Sequence, residues 1–158
     1  MKTLVLLTLF LPALSFAAND TQAALEALKS KLNKYGTPTL QGKTKVADKE
    51  VATLSFGKKK INLNYDTVDE IKKSHGGTAT VFVKNGSEFV RVSTNVLKDD
   101  GSRAIGTELA HNKAYEAVSK GEKFCGEVEI LGTPYDTCYE PIKSGAETLG
   151  VYYVGYKK

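Results

Sequence analysis

A β-hairpin around Asn85-Gly86 is the feature that most constrains the fold of this 158-residue chain. Two runs rich in β-branched and aromatic residues, TATVFVK and EFVRVST, flank a dipeptide that is the strongest short-range hairpin signal in a sequence. A two-residue turn at Asn85-Gly86 pairs Phe82 with Phe89 and Thr80 with Arg91. Because side chains alternate across a strand, this register sorts the hairpin into two faces.

The two predicted faces differ in chemical character. One is aliphatic and is predicted to be core: Ala79, Val81, Val83, Val90 and Val92. The other combines aromatic rings, hydroxyls and one cation: Thr78, Thr80, Phe82, Phe89, Arg91 and Ser93. Apolar walls around a few polar groups are typical of a ligand pocket. An amphipathic hairpin whose Arg91 faces water is the alternative.

The N-terminus has the pattern of a secretory signal peptide. Lys2 precedes a short apolar run, and Ser15-x-Ala17 is typical of a cleavage site, which predicts cleavage after Ala17. The apolar run is too short for a permanent membrane anchor. We therefore expect a soluble mature chain that begins at Ala18 and is periplasmic or secreted.

Length and charge limit the function classes. The mature chain of about 140 residues has the usual size of one domain with one core. The formal net charge of +4 is small and dispersed. It permits an anionic small molecule as ligand and does not favour nucleic acid as partner.

The chain contains two cysteines, Cys125 and Cys138. In an oxidising compartment a disulfide is the default expectation. If Gly132-Thr133 is a two-residue turn, however, the cysteines lie diagonally rather than directly opposite, which is marginal for a disulfide. A metal site is not favoured, because no histidine or second cysteine pair lies near them in sequence.

The other periodic segments predict an α+β domain. Residues 21–35 form an amphipathic helix with Ala24, Leu25, Leu28 and Leu32 on one stripe. Two short strands are expected within 49–64, a helix within 67–75 behind a capping box, a helix within 112–120, and strands at 126–131, 135–142 and 148–156. The natural class is an antiparallel sheet of five or six strands with helices packed against it.

The second predicted hairpin has a mixed face like that of the first. Val128 and Ile130 share a face with Tyr135, Thr137 and Tyr139. Tyrosines also serve as packing residues whose hydroxyl reaches water, so each one singly is ambiguous. Taken with the first hairpin, the face favours a lined pocket.

Four segments in order, GGTATVFVKNGSEFVRVSTNVLKDDGSRAIGTEL, AYEAVSKGEKFCG, LGTPYDTCYEPI and LGVYYVGY, carry a family resemblance. From about Ala52 to Tyr156 the chain resembles the periplasmic single-Cache sensor domains of bacterial chemoreceptors, most of all the Cache 3/Cache 2 fusion type. The resemblance implies a PAS-like fold, with a long N-terminal helix packed on a central antiparallel sheet whose other face cups a small ligand. Together with the signal peptide (1–17) and the predicted N-terminal helix and linker (18–48), it predicts a single Cache sensor domain at 49–158.

The resemblance also implies a sensory role in chemotaxis or signal transduction. Relatives bind small organic molecules, often carboxylates, and transmit binding to a partner module. Receptors of this kind frame the domain with transmembrane helices, whereas a cleavable signal precedes it here and the sequence stops at Lys158. We therefore expect a free-standing binding protein that presents its ligand state to a membrane receptor or sensor kinase.

The candidate ligand-binding residues lie mostly on the two mixed faces. Arg91 has a planar guanidinium group that can bind a carboxylate through two hydrogen bonds. Arg103, in the connector after the first hairpin, is the second candidate cation, with a surface or structural ion pair as the alternative. The expected hydroxyl donors and walls are Ser93, Tyr135, Thr137, Tyr139, Phe82, Phe89 and Phe124.

Catalysis is not favoured, and no cofactor is expected. His75 and His111 are the only histidines, and no nucleophile elbow, P-loop or dinucleotide fingerprint is present. The alternative to a binding protein is a non-catalytic interaction module that has lost its ligand and forms a homodimer through the N-terminal helix. An Arg91 paired internally with an acid would favour that module, and an unpaired Arg91 would favour the binding protein.

Overall fold

The computed structural model describes residues 20–158, so the predicted signal peptide lies outside the described residues. The helices are α1 (Thr21–Asn33), α2 (Asp66–His75) and α3 (Lys113–Ser119). The strands are β1 (Pro38–Val46), β2 (Lys49–Phe56), β3 (Lys59–Lys60), β4 (Thr78–Asn85), β5 (Glu88–Thr94), β6 (Phe124–Ile130), β7 (Thr133–Ser144) and β8 (Glu147–Lys157).

The last strand of the chain lies at the centre of the main sheet. The five strands are antiparallel in the order β5-β4-β8-β7-β6, so β8 joins the first hairpin to the C-terminal meander. A second sheet has the order β1-β2-β3. The α+β class and a five-stranded antiparallel sheet are therefore confirmed. Strand β1 was not predicted, because its residues were assigned to a linker.

The first hairpin turns one residue later than predicted. Asn85 pairs with Glu88, and Gly86-Ser87 forms the turn, with a φ of 63° at Gly86. Phe82 therefore lies opposite Arg91 rather than opposite Phe89. Moving the turn by one residue changes the register by two residues, which leaves every side chain near the turn on its predicted face.

A β-bulge further along the same strand pair does change one face. Phe82 pairs with Arg91 but Val81 pairs with Ser93, so Val92 is the extra residue. A bulge of this kind shifts the following residues of its strand to the opposite side. Ser93 consequently leaves the face of Arg91, contrary to the prediction.

One face of the main sheet packs against α1, α2 and the small sheet. The valines of β4 and β5 belong to this core, and the helix stripe Ala24, Leu25, Leu28 and Leu32 is fully buried in it. Helix α1 has 13 residues, from Thr21 to Asn33, so the long N-terminal helix is not confirmed. The apolar stripe offered for a homodimer is used within the chain.

The second hairpin also turns one residue away from the predicted position. Leu131-Gly132 forms the turn, both residues with positive φ as in a type I′ turn. Cys125 therefore lies directly opposite Cys138 rather than diagonal to it. The two form a disulfide with an S–S distance of 2.02 Å and a Cα–Cα distance of 4.1 Å. The expected disulfide is confirmed.

The other face of the main sheet is covered by the connector, residues 95–112, and by α3. A second core cluster fills this space with aromatic and aliphatic side chains, including Phe82, Phe89, Tyr139 and Tyr153. Helix α3 begins as predicted at Asn112, whose side chain accepts hydrogen bonds from two backbone N–H groups of its first turn. The predicted mixed faces of both hairpins meet here.

Candidate ligand-binding site

Arg91 is buried on the connector side of the sheet. It lies on β5 opposite Phe82 and is 4% exposed. The guanidinium carbon lies 4.9 Å from the centroid of the Phe82 ring, within the range of a cation–π interaction. Strand alternation and the position before the bulge together fix this direction of the side chain.

The connector reaches Arg91 because it pairs with the outer edge of β5. The Arg91 N–H donates to the Thr107 carbonyl, and the Gly106 N–H donates to the Arg91 carbonyl, both at 2.9 Å. This pairing brings the Thr107 hydroxyl within 2.8 Å of Arg91 Nη1, which donates to it. The same hydroxyl donates to the Ala104 carbonyl at 2.7 Å. The main polar partner of the guanidinium is thus a neutral hydroxyl.

The positive charge of Arg91 has no acidic partner in the part of the chain that the structure describes. No carboxylate of residues 20–158 forms an ion pair with it, and its buried Nε has no hydrogen-bond partner. Burial lowers the pKa of Arg91 below its ordinary value. A guanidinium nevertheless stays protonated in proteins, so its buried charge has only the Phe82 ring and neutral hydrogen-bond acceptors as partners.

A cavity of about 60 Å³ adjoins Arg91. Its lining comes from the sheet (Arg91, Tyr139), the connector (Glu108, Leu109, Ala110, Asn112) and the β6–β7 hairpin (Glu129, Ile130, Leu131). A single water needs about 10–15 Å³ of such volume. The cavity therefore has room for a carboxylate with a few carbon atoms rather than for a large ligand.

Two tyrosines, Tyr139 and Tyr153, pack against each other on this face of the sheet. The Tyr139 and Tyr153 rings lie 4.9 Å apart, and the Tyr153 hydroxyl shares a 3.0 Å hydrogen bond with Thr78 Oγ1. Burial raises the pKa of both tyrosines, so both are neutral and able to donate. The Tyr139 hydroxyl has no hydrogen-bond partner within 20–158. Tyr139 lines the cavity together with Arg91.

Aromatic side chains predicted as walls lie in the same core cluster. Phe82 stacks against the guanidinium of Arg91, and Phe89 contacts the Tyr115 ring of α3 edge-on at 6.1 Å. Phe124 packs against Tyr139, with ring centroids 6.4 Å apart. These rings form the apolar surroundings of the site, although the cavity itself is lined by other residues.

Three predicted hydroxyl donors are not brought to the cavity. Ser93 donates to the Asn64 carbonyl at 2.5 Å on the opposite face of the sheet. Thr137 donates to the Gly126 carbonyl of the neighbouring strand at 2.7 Å. Tyr135 lies on the predicted face but lines a separate hollow beside Gly77.

Arg103 does not line the cavity and is instead paired with an acidic side chain. It forms a two-pronged ion pair with Asp69 of α2, with N–O distances of 2.7 and 2.8 Å, and donates to the Thr94 carbonyl. It also lies over the Tyr65 ring. The hydrogen bonds that Arg103 donates to the Asp69 carboxylate raise the pKa of Arg103. The alternative of a structural ion pair therefore describes this residue.

The histidines occupy positions unrelated to the cavity. His75 contacts the Ser74 hydroxyl at the end of α2. His111 stacks on Tyr115 and lies 2.9 Å from a Glu88 carboxylate oxygen. Within residues 20–158, no group of three or more His, Cys, Asp or Glu side chains is placed to hold a metal ion.

Sequence reasoning missed Tyr153 and Thr107. Tyr153 lies within the apolar C-terminal strand, and its face follows from pairing with Tyr139, which depends on the exact register of β7 and β8. Thr107 lies in a segment without periodicity. No local signal identifies it as the partner of a residue 16 positions earlier.

An antiparallel sheet with one face packed by helices and the other enclosing a small polar cavity is an architecture of small-molecule sensor domains. The chain belongs to the Cache 3/Cache 2 fusion domain family, whose family model matches residues 14–158. Cache domains are extracellular or periplasmic sensory domains that generally bind ligands and are not catalytic.

No curated protein and no solved structure matches this sequence significantly. Over residues 20–158, none of the helices is long and apolar enough to cross a membrane.

Proposed function

We propose that this protein is a periplasmic or secreted sensor that binds a small organic carboxylate beside Arg91. The observation that carries the proposal is the buried guanidinium without an acidic partner at the wall of a cavity. A buried unpaired charge is costly, whereas a carboxylate ligand would supply the missing counter-charge.

The Arg91 wall of the cavity suits a carboxylate. Of the two acids in the lining, Glu108 lies 3.9 Å from Lys49 Nζ and Glu129 is exposed. Nη1 of Arg91 donates to the Thr107 hydroxyl and, at 3.5 Å, to the Glu108 carbonyl, and Nε is sealed from solvent, so Nη2 is the group left for a ligand. Hydrogen bonds between a guanidinium and a carboxylate are charge-assisted and stronger than those between neutral groups. The neutral hydroxyl of Tyr139, which lines the cavity, is able to donate to a carboxylate.

The connector is the element through which such binding would be transmitted. It contacts Arg91 through Thr107 and contacts α2 through the Arg103–Asp69 ion pair. A carboxylate that competes with Thr107 for the guanidinium changes the position of the connector, and hence the contact of the connector with α2. We propose that a membrane receptor or sensor kinase recognises this change.

A thermal-shift screen of residues 18–158 tests the proposal. The panel comprises formate, acetate, propionate, lactate and succinate, with the amides and amines of the same carbon skeletons as controls. A ligand that binds only the folded state raises the melting temperature by mass action. We expect stabilisation by carboxylates alone and its loss in Arg91→Met but not in Arg103→Met.

The small cavity volume favours one alternative, a non-catalytic interaction module that no longer binds a ligand. No stabilisation by any carboxylate, with Arg91→Met unchanged in stability, would support this module and refute the sensor. Its partner surface would have to differ from the α1 stripe, which is buried.

A further inference from the structure

The cavity beside Arg91 adjoins a larger groove. This groove has a volume of about 290 Å³ and runs between the connector and β6. The two spaces are neighbours, because they share the lining residues Ala110, Asn112 and Glu129. A ligand whose carboxylate lies on Arg91 would extend along this groove.

One wall of the groove is the unpaired edge of a strand. Strand β6 is the last in the sheet order, and β7 is its only partner among the described strands. Alternate backbone N–H and C=O groups of an edge strand point outward and are free to pair with another chain. The opposite edge of the sheet differs, because the connector pairs with β5 there through the bridge between Val90 and Glu108.

We propose that the ligand class is a short peptide with a free C-terminal carboxylate. The carboxylate binds Arg91, and the main chain adds to the edge of β6 as an extra strand, a known mode of peptide recognition. An acyl chain would fill the groove but would leave the outward backbone groups of β6 unpaired. This inference rests on the proposed carboxylate site.

The position of the cavity sets the direction of the peptide. The cavity is lined by Glu129, Ile130 and Leu131, at the C-terminal end of β6, and the groove by residues 127–129. A peptide whose C-terminus lies in the cavity therefore runs parallel to β6. In parallel pairing, successive peptide nitrogens alternate between facing β6 and facing away.

Isothermal titration of residues 18–158 with defined peptides tests this arrangement. The probes are tetra-alanine, a randomised tetrapeptide pool, the C-terminally amidated form of each, and propionate. We expect the free-acid peptides to bind at least tenfold tighter than propionate. Amidation should weaken binding about 10- to 100-fold, as loss of a charge-assisted hydrogen bond does.

Two N-methylated tetra-alanines report on the main-chain pairing. They are methylated at adjacent nitrogens, so one of the two carries its methyl group toward β6. We expect that peptide to bind about tenfold more weakly and its neighbour to bind like the parent.

The outcomes separate the two proposals. Arg91-dependent binding of propionate, with no tighter binding of any peptide, would refute the peptide inference and leave the carboxylate site intact. Equal binding of both methylated peptides and the parent would refute strand addition. Absence of binding by propionate and by every peptide would refute the carboxylate site as well.

Discussion

Replacing Arg91 with methionine is expected to stabilise the ligand-free protein. The substitution removes a buried charge that has no acidic partner and keeps a long apolar stem in contact with Phe82. It costs the hydrogen bond to Thr107, about 1.5–3 kcal/mol, and the cation–π contact, about 1–2 kcal/mol. The Thr107 hydroxyl keeps its bond to Ala104, so no new polar group is left unpaired.

The expected gain in stability arises because methionine carries no charge that must be desolvated on folding. The effective penalty for burying an ion is several kcal/mol, and apolar replacement of buried ionic groups is often stabilising by about 1–4 kcal/mol. We therefore expect a net stabilisation of about 1–2 kcal/mol. In a domain of this size the melting temperature would rise by about 3–6 °C.

The assay is thermal and urea denaturation of protein that has been unfolded and refolded to remove bound ligand. Arg103→Met is the matched control, because it breaks the ion pair with Asp69 and should destabilise by about 1–2 kcal/mol. Saturating carboxylate should raise the melting temperature of the parent and leave Arg91→Met unchanged. If Arg91→Met is destabilised as much as Arg103→Met, then the charge of Arg91 is compensated in the free protein, and the reasoning for the binding site fails.

Three further predictions concern stability. Replacing Cys125 and Cys138 with serine should cost about 3 kcal/mol in urea denaturation, given their separation of 13 residues, and should abolish the effect of a reductant on the midpoint. Gly150→Ala should cost at least about 3 kcal/mol, because its Cβ would lie 2.1 Å from a backbone oxygen of the facing strand, whereas Gly145→Ala, with φ of 60° in open space, should cost about 1 kcal/mol. A hydrogen bond from a lysine lowers the pKa of Asp66, so this carboxylate stabilises above its unfolded pKa. Asp66→Asn should destabilise at pH 7 and converge with the parent as pH falls through the folded-state pKa.

The faces of both hairpins could be predicted because they depend only on alternation. Each turn was misplaced by one residue, and in an antiparallel pair such an error moves the register by two residues. The predicted core valines of β4 and β5 and the partners of Tyr139 on the second hairpin are therefore confirmed. Which two residues pair directly across the strands depends on the exact position of the turn. The misplaced turn is therefore the reason why Cys125 and Cys138 were predicted to be diagonal.

Other features of the fold have no local signal. The bulge at Val92 moves Ser93 to the opposite face, and nothing in the hairpin sequence marks an extra residue there. Strand β1, PTLQGKTKV, has few apolar residues because most of its side chains are exposed or half-buried. Pairing with β2 rather than intrinsic preference makes it a strand.

The difference between the two arginines shows why the site could be predicted only in part. Arg91 is a single cation within an apolar strand and Arg103 is a single cation among small and polar residues, and sequence assigns both to the same region. Their roles diverge because α2 brings Asp69 to Arg103, while the connector brings only neutral acceptors, the Thr107 hydroxyl and the Glu108 carbonyl, to Arg91. An ion pair 34 residues apart depends on how α2 packs on the sheet, which is a tertiary property. The absence of such a partner, within residues 20–158, makes Arg91 the candidate anchor for an anionic ligand.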